Sequence, residues 1–406
     1  MGSAKQYRPV VDGGVTLAAG FTAGAVYAGI KTPGPDKLDL AILASDRPAA
    51  VAGIFTTNSF CAAPVTVSRE IVAGRRARAV IANAGNANAC TGEQGLADAR
   101  EMGALAAEKI GAEPSEVLVA STGLIGVNLP MDQIRAGVGD VEFTPDGGAQ
   151  FARAIITTDT HPKSAGAELE LGGRTVRIGG SAKGAGMIHP NMATLLAFVT
   201  TDAAVDPGFL QTALARAGGD SFNMITVDGD TSTNDTLVVL ANGAAGNPVV
   251  SGGEDGERFT AALTYVCGEL AKAIVSDGEG ATRLIRVDVR GAASDQDARD
   301  AARSVVRSPL VKAAVYGSDP NWGRVLCAIG YSGATVDPLA VDLFVGGVQL
   351  VKAGAPVPGS REAAEPIMKE KEVNFVADLH VGGSAATAWG CDLTEAYVVE
   401  NSAYST

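Results

Sequence analysis

Thr194 is the hydroxyl residue with the most suggestive surroundings in this chain. It closes the stretch SAKGAGMIHPNMAT (181–194), where glycines and a proline make the backbone irregular, and it opens the apolar run TLLAFVTT (194–201). Taken alone, a Thr at such a junction is an ordinary first residue of a strand, because β-branched side chains suit strands. The chemistry of the hydroxyl adds weight to a functional reading. A Thr hydroxyl is a weak nucleophile that needs a base, and the chain has only 3 histidines, His161, His189 and His380, spread along its length. One remedy is to free the residue's own α-amine, which titrates near ~7.7–8.0 in small peptides and can take the hydroxyl proton near neutral pH. That requires breaking the Ala193–Thr194 bond. The Thr hydroxyl attacks the preceding carbonyl, the acyl group shifts from N to O, and water hydrolyses the ester. An irregular loop ahead of a rigid strand suits such a shift, and the restricted χ1 of Thr helps aim the hydroxyl.

Few other residues compete for a chemical role. DGDTSTND (228–235) gathers Asp228, Asp230 and Asp235. As a calcium loop it has its glycine at the second position instead of the sixth and no Glu at the twelfth. A polar turn feeding the strand TLVVLA is the better reading. NAGNANACTG (83–92) follows a strand, and its Gly and Asn residues suit left-handed turns. A ligand-lining loop and plain turn chemistry both fit it. Cys90, within that loop, has no His nearby in sequence to activate it. The five cysteines are odd in number, scattered and never in a CxxC pair, which speaks for reduced thiols and against a zinc site. No P-loop or GxGxxG opens a helix, so nucleotide cradles are not indicated.

The elements that must position these residues alternate between strand and helix. KLDLAIL, RAVIAN and EVLVA read as strands in the first half, and TLLAFVTT, TLVVLA and RLIRVDV in the second. Segment 256–275 puts Phe259, Leu263, Val266, Leu270 and Ile274 on one helical face, and 93–111 and 294–314 read as helices too. AELELGGRTVRI and VDLFVGGVQLVKAG carry Gly-Gly between strands and read as hairpins. The expected fold class is α/β (α+β), layered sheets with covering helices, and the hairpins disfavour a purely parallel Rossmann architecture. Turn-rich stretches near 170, 250 and 355 mark domain boundaries only poorly. With 406 residues, two or three units sharing large cores are expected. A net charge of −13 argues against a nucleic-acid partner, whose phosphates want a basic face. Small anions need only one local Lys or Arg. The opening MGSAKQYRPVV lacks the apolar core of a secretory signal, and no run reaches the ~18 apolar residues of a membrane span, so a cytoplasmic protein with no membrane partner is expected.

KGAGMIHPNMAT resembles the self-processing signature of the ornithine acetyltransferase family, also called glutamate N-acetyltransferase. GFTAGAVYAGIK, NAGNANACTG, STGLIG, ITTDTHPK, FNMITVDGDTSTNDT, DGEGATR, DPNWGRVLCAIGYSG and ENSAYST resemble further family segments in the family's order. The resemblance spans nearly the whole chain. The pair LL after Thr194 stands where Met-Leu is expected, a conservative change. The resemblance implies a fold of the self-processing, DmpA-like kind. It implies a cut between Ala193 and Thr194 into an α chain (1–193) and a β chain (194–406), which stay together as an α2β2 assembly. It implies acetyl transfer from N-acetylornithine to glutamate by a ping-pong route through acetyl-Thr194, in arginine biosynthesis. No resident cofactor or metal is implied, although some members also accept acetyl-CoA as co-substrate. Thr122 and Gly123 of STGLIG match the oxyanion hole. A turn after the strand EVLVA is able to present a Gly N–H and a Thr hydroxyl to a tetrahedral oxyanion. Thr157, Lys183, Thr194, Glu279, Asn401 and Thr406 match substrate-binding positions. Lys183 suits a carboxylate and Glu279 the ammonium of ornithine. Roles for Asn401 and Thr406 require the polar ENSAYST tail, by itself a frayed end, to fold back over the site. The rival readings are a self-processing amidohydrolase or aminopeptidase, a secondary-metabolism acetyltransferase of the same fold, and a non-enzymatic binding protein.

Overall fold

The structure, a computed structural model, describes residues 6–11, 13–31, 37–189 and 195–403. Ala193, Thr194 and Thr406 lie outside the described residues.

Strands come first in small antiparallel units. β1 (Arg8–Val10), β2 (Phe21–Val26), the long β3 (Leu40–Phe55), β4 (Arg76–Asn86), β5 (Val117–Leu124), β6 (Lys163–Leu171), β7 (Arg174–Lys183) and β8 (Leu196–Thr201) precede β9 (Ile225–Thr226) and β10 (Thr236–Ala241). The later strands are β11 (Leu284–Ala292), β12 (Asp342–Val345), β13 (Val348–Lys352), β14 (Ala355–Pro356), β15 (Glu372–Asp378) and β16 (Ser384–Cys391). They form two sheets. The nine-stranded sheet runs β1-β6-β7-β8-β10-β3-β4-β5, with β2 also paired to β3, and so takes strands from both sides of residue 193. The seven-stranded sheet runs β14-β13-β12-β15-β11-β16-β9. Both expected hairpins form, β6–β7 turning at Gly172-Gly173 and β12–β13 at Gly346-Gly347, all four glycines at positive φ.

Layering follows from the period-2 alternation of strands buried on both faces. In β8, Leu196 and Phe198 join a core with Ile42, Val80, Met102 and Phe151 on one face of the large sheet. Ala197 and Val199 join Val239, Phe259, Leu263 and Leu270 on the other. The helix Gly253–Ser276 supplies that second layer and packs on β6 and β7. It is the only described helix long and apolar enough by composition to cross a membrane. Its face of Phe259, Leu263, Val266, Leu270 and Ile274 is buried in the core, the face expected from its spacing. Each such side chain contributes about 1.5–3 kcal/mol by leaving water. The smaller sheet is covered by the helix Asp295–Arg307, whose Ala298, Ala301, Ala302, Val305 and Val306 are buried at helical spacing.

One expected helix is in fact two. The segment 294–314 breaks at Ser308 into Asp295–Arg307 and Pro309–Tyr316. Pro309 has no N–H for the first helix and disfavours helical backbone at the residue before it. It is well placed as the first residue of the next helix, where Ser308 Oγ accepts from Val311 N at 3.3 Å.

Candidate active site

Two strand ends of the large sheet, the loops beside them and the helix Glu395–Ala403 meet at a cavity of about 270 Å³. Six of the residues singled out from sequence line it: Thr122, Gly123, Thr157, Lys183, Glu279 and Asn401. Each is delivered by a different local device.

Thr122 and Gly123 sit near the end of β5, where pairing with β4 slips: Asn86 stands opposite both Thr122 and Leu124. Gly123 has φ +132°, and a Cβ there would lie 2.3 Å from the backbone carbon of Gly85. Only glycine allows the two strand ends to approach so closely. The buried Asn234 fastens this corner, its amide donating to Ala87 O at 2.6 Å and Ser121 O at 2.8 Å.

Lys183 ends β7 and pairs with Leu196, the first residue of β8. Its Nζ donates to Thr157 Oγ1 at 2.8 Å and to Thr122 Oγ1 at 3.4 Å, and stands 3.9 Å from Asp159 Oδ2. Since Thr122 accepts from the ammonium, its own hydroxyl proton is left to point into the cavity. Burial pushes the Lys183 pKa down, and the Asp159 carboxylate opposes that shift. Asp159 is itself buried, which alone would raise its pKa. The charges of Lys183 and Lys163, with hydrogen bonds from Lys163 and Gly184 N, outweigh burial and bring it to about 2.

Glu279 follows the long helix Gly253–Ser276, and its backbone N donates to Ala185 O at 2.9 Å. Its carboxylate lies against Gly186, where a Cβ would come within 2.4 Å of it. Asn401 Nδ2 donates to Glu279 Oε2 at 2.8 Å. Asn401 and Tyr397 belong to the helix Glu395–Ala403, so residues 400–403 of the tail that reads as frayed are helical and reach the cavity rim. The cause lies ahead of it. Asp392 accepts from Thr282 N and Arg283 N at 2.8 and 2.9 Å, and Thr394 Oγ1 donates to Gly280 O at 2.7 Å.

The wall contains residues that sequence reasoning passed over. Asp228 reads as part of a polar turn, yet it lines the cavity and accepts from Met187 N at 2.5 Å and Ile188 N at 2.9 Å. Burial raises its pKa. Tyr397 hydrogen-bonds to Asp228, and burial first, then the neighbouring carboxylates, raise its phenol pKa. The only signal for Asp228 was its place in the resembling segment FNMITVDGDTSTNDT. The loop 83–92 serves both of its open readings: Ala87 lines the cavity, while Gly85, Asn88 and Cys90 have positive φ. Cys90 is exposed and free. The described flanks of the 190–194 segment are both tied to 226–236. Thr231 Oγ1 donates to His189 O at 2.9 Å, and Leu195 N donates to Asp235 Oδ1 at 2.9 Å. His189 is held neutral, its pKa lowered to about 4 by burial and by Arg303 and Arg307. Among the described residues, no group of three or more His, Cys, Asp or Glu is arranged to hold a metal ion.

A hydroxyl-and-glycine turn beside a buried lysine, facing a carboxylate, is equipment for acyl transfer on small charged molecules. Residues 22–406 match the family model described as the ArgJ family, and the chain belongs to that family. It is 58% identical over 397 residues to the arginine biosynthesis bifunctional protein ArgJ of Symbiobacterium thermophilum, covering 97% of this chain and 99% of that protein. With the protein of the same name from Dehalococcoides mccartyi it shares 50% identity over 396 residues, 97% of this chain and 98% of that one. A crystal structure of the arginine biosynthesis bifunctional protein argJ from Bacillus halodurans superposes with TM-score 0.50 at 48% identity, covering 51% of this chain and 98% of that chain.

Proposed function

We propose that this chain is a glutamate N-acetyltransferase of arginine biosynthesis, acting in the cytoplasm. It cuts itself between Ala193 and Thr194 and then carries acetyl on Thr194 from N2-acetylornithine to glutamate. The observation that supports this most is the spacing of charges in the cavity. In N2-acetylornithine the acetamide and the carboxylate share one carbon, so their receptors must be neighbours. Thr122 Oγ1 and Lys183 Nζ are 3.4 Å apart. The free ammonium lies at the far end of the side chain, and Glu279 waits on another wall of the same cavity.

The steps follow from these positions. The acetyl oxygen takes the Thr122 hydroxyl and the Gly123 N–H, and the Thr194 α-amine accepts the hydroxyl proton as Oγ attacks. The tetrahedral intermediate collapses and ornithine leaves with the proton on its amine. Glutamate then binds with its α-carboxylate on Lys183, its amine attacks the acetyl ester, and the Thr194 hydroxyl is restored. Asn401 donates to Glu279 and to Tyr397 O, and it reaches the second carboxylate of glutamate by giving up one of those bonds. Water must be kept out in between, since hydrolysis would turn the transferase into a deacylase.

The half-length match to the Bacillus halodurans chain supports processing: 51% of this chain accounts for 98% of that one, about the size of a fragment beginning at Thr194. Names with the word bifunctional among the relatives support acetyl-CoA as a second acetyl donor. An α2β2 assembly of the two fragments completes the reading. Intact-mass analysis with and without N-acetylornithine tests it. The expected result is two fragments meeting at Ala193/Thr194, with one acetyl group added to the C-terminal fragment and none in Thr194→Ala. An uncut, unacetylated chain would refute it, and ornithine release at equal rates without glutamate would leave a hydrolase.

A further inference from the structure

Lys163 opens β6 and does not line the cavity, yet it joins two of its walls. Its side chain is 0% exposed. Its Nζ donates to Asp159 Oδ1 at 2.6 Å, to Asp277 Oδ2 at 2.6 Å and to His161 O at 3.3 Å, so all three N–H groups are used. Asp159 belongs to the Lys183 side: it also accepts from Thr157 N at 3.1 Å and Gly184 N at 2.6 Å. Asp277 belongs to the other side. It caps the long helix two residues before Glu279, and it accepts from Thr160 N at 3.0 Å and from the Thr160 hydroxyl. The result is an alternating chain of charges, Lys183–Asp159–Lys163–Asp277, whose last member is joined by two peptide units to Glu279.

We propose that Lys163 is a positioning residue for substrate binding: by holding Asp159 and Asp277 on one ammonium it fixes Lys183 and Glu279 at the separation spanned by an amino acid with a charged side chain. This rests on the acetyltransferase reading of the cavity. Stability alone gives little reason for the arrangement, because a buried ion network is often matched by well-packed apolar residues of similar volume. What an apolar residue would not do is hold two walls in register through directed bonds.

Lys163 also acts on the charge of Lys183. The groups that face Lys183 are Asp159, Glu279 and Asp235, which favour its charged form, and Lys163 and Lys31, which oppose it. Removing the Lys163 charge leaves Asp159 to Lys183 alone. Lys183 then keeps its proton to higher pH.

The test compares wild type, Lys163→Met and Lys163→Met/Asp277→Asn, each on material shown by intact mass to be cut. The double variant removes the carboxylate whose charge the single one leaves buried without its ammonium, so it recovers the thermal stability that Lys163→Met loses. In both variants the KM for N-acetylornithine is expected to rise about tenfold or more, while kcat falls less than about threefold and the alkaline limb of kcat/KM moves to higher pH. A double variant that regains wild-type KM along with its stability overturns the proposal, as does an alkaline limb that stays in place. Ornithine binding by calorimetry separates the two readings. If the wild type shows no glutamate-dependent transfer, the functional reading falls. An approximately tenfold loss of ornithine affinity in the double variant still upholds the role of Lys163. Unchanged affinity, or no binding to wild type, overturns it.

Discussion

Replacing Thr122 by Val removes one hydroxyl from the cavity and leaves the shape of the side chain nearly intact. Val suits a strand end as well as Thr does, so β5 should persist. Lys183 loses its 3.4 Å contact but keeps the 2.8 Å bond to Thr157, so ground-state binding should change little. In the proposed mechanism what is lost is a donor to the oxyanion, typically ~2.7–4 kcal/mol, or ~10²–10³-fold in kcat. Thr157→Val is the matched control. It removes the short bond to a buried ammonium, which is worth ~1.5–3 kcal/mol for a charged group and acts on substrate and transition state alike. It should therefore raise KM about 10- to 100-fold with kcat much less affected. The assay is saturation kinetics of glutamate-dependent ornithine release, with the cut fraction of each preparation measured by intact mass. A Thr122→Val kcat within about fivefold of wild type would refute the oxyanion assignment. So would kinetic defects in the two variants that could not be told apart.

Asn234→Ala should destabilise the protein and lower kcat together, since it leaves the carbonyls of Ala87 and Ser121 without their amide donor. About 1–3 kcal/mol per unsatisfied buried group is expected in denaturant titrations. Asp159 should make the fold acid-sensitive. Its folded pKa of about 2 lies below the unfolded value of ~3.9, so its stabilisation is complete above that value and is lost as pH falls through 2. Denaturant midpoints from pH 5 down to pH 2 should show a loss on the order of 2–3 kcal/mol, which Asp159→Asn lacks, starting from lower stability at neutral pH. His189→Gln should leave any acid limb of the rate profile near neutrality in place. His189 is already uncharged there, and in the proposed mechanism that limb belongs to the α-amine of Thr194. Disappearance of the limb would reassign the base.

Much of the scaffold could be read from periodicity, because its strongest elements have faces in clear contrast. The helix Gly253–Ser276 carries its apolar stripe at regular spacing, and both Gly-Gly hairpins announce their turns. The break at Ser308 was also written in the chain, since Pro309 stands inside a pattern whose apolar positions nevertheless continue. Periodicity reports which side is buried and says less about whether one axis runs through. The site was less legible for a different reason. Asp228, Asn234 and Tyr397 are polar residues of kinds common in turns and tails. Their importance arises from long-range partners, such as Asn234 reaching Ala87 and Ser121 more than a hundred residues away. Lys183, Glu279 and Asn401 stand out in the sequence only through whole-segment resemblance, because a lone Lys or Glu reads as a solvated charge. The helix Glu395–Ala403 is anchored by Asp392 and Thr394, two short side chains whose targets near residue 280 no local pattern reveals.

The strand order of the large sheet bears on what a broken peptide bond could do. β8 and β10 lie side by side between β7 and β3, like two slats slotted into the middle of a panel built from the earlier strands. Drawing them out would strip hydrogen-bonding partners from both β7 and β3 and open two raw edges at once. A nick at residue 193 would thus alter the number of chain ends without loosening the joinery. The two pieces would melt as one object, while refolding would have to bring them together again.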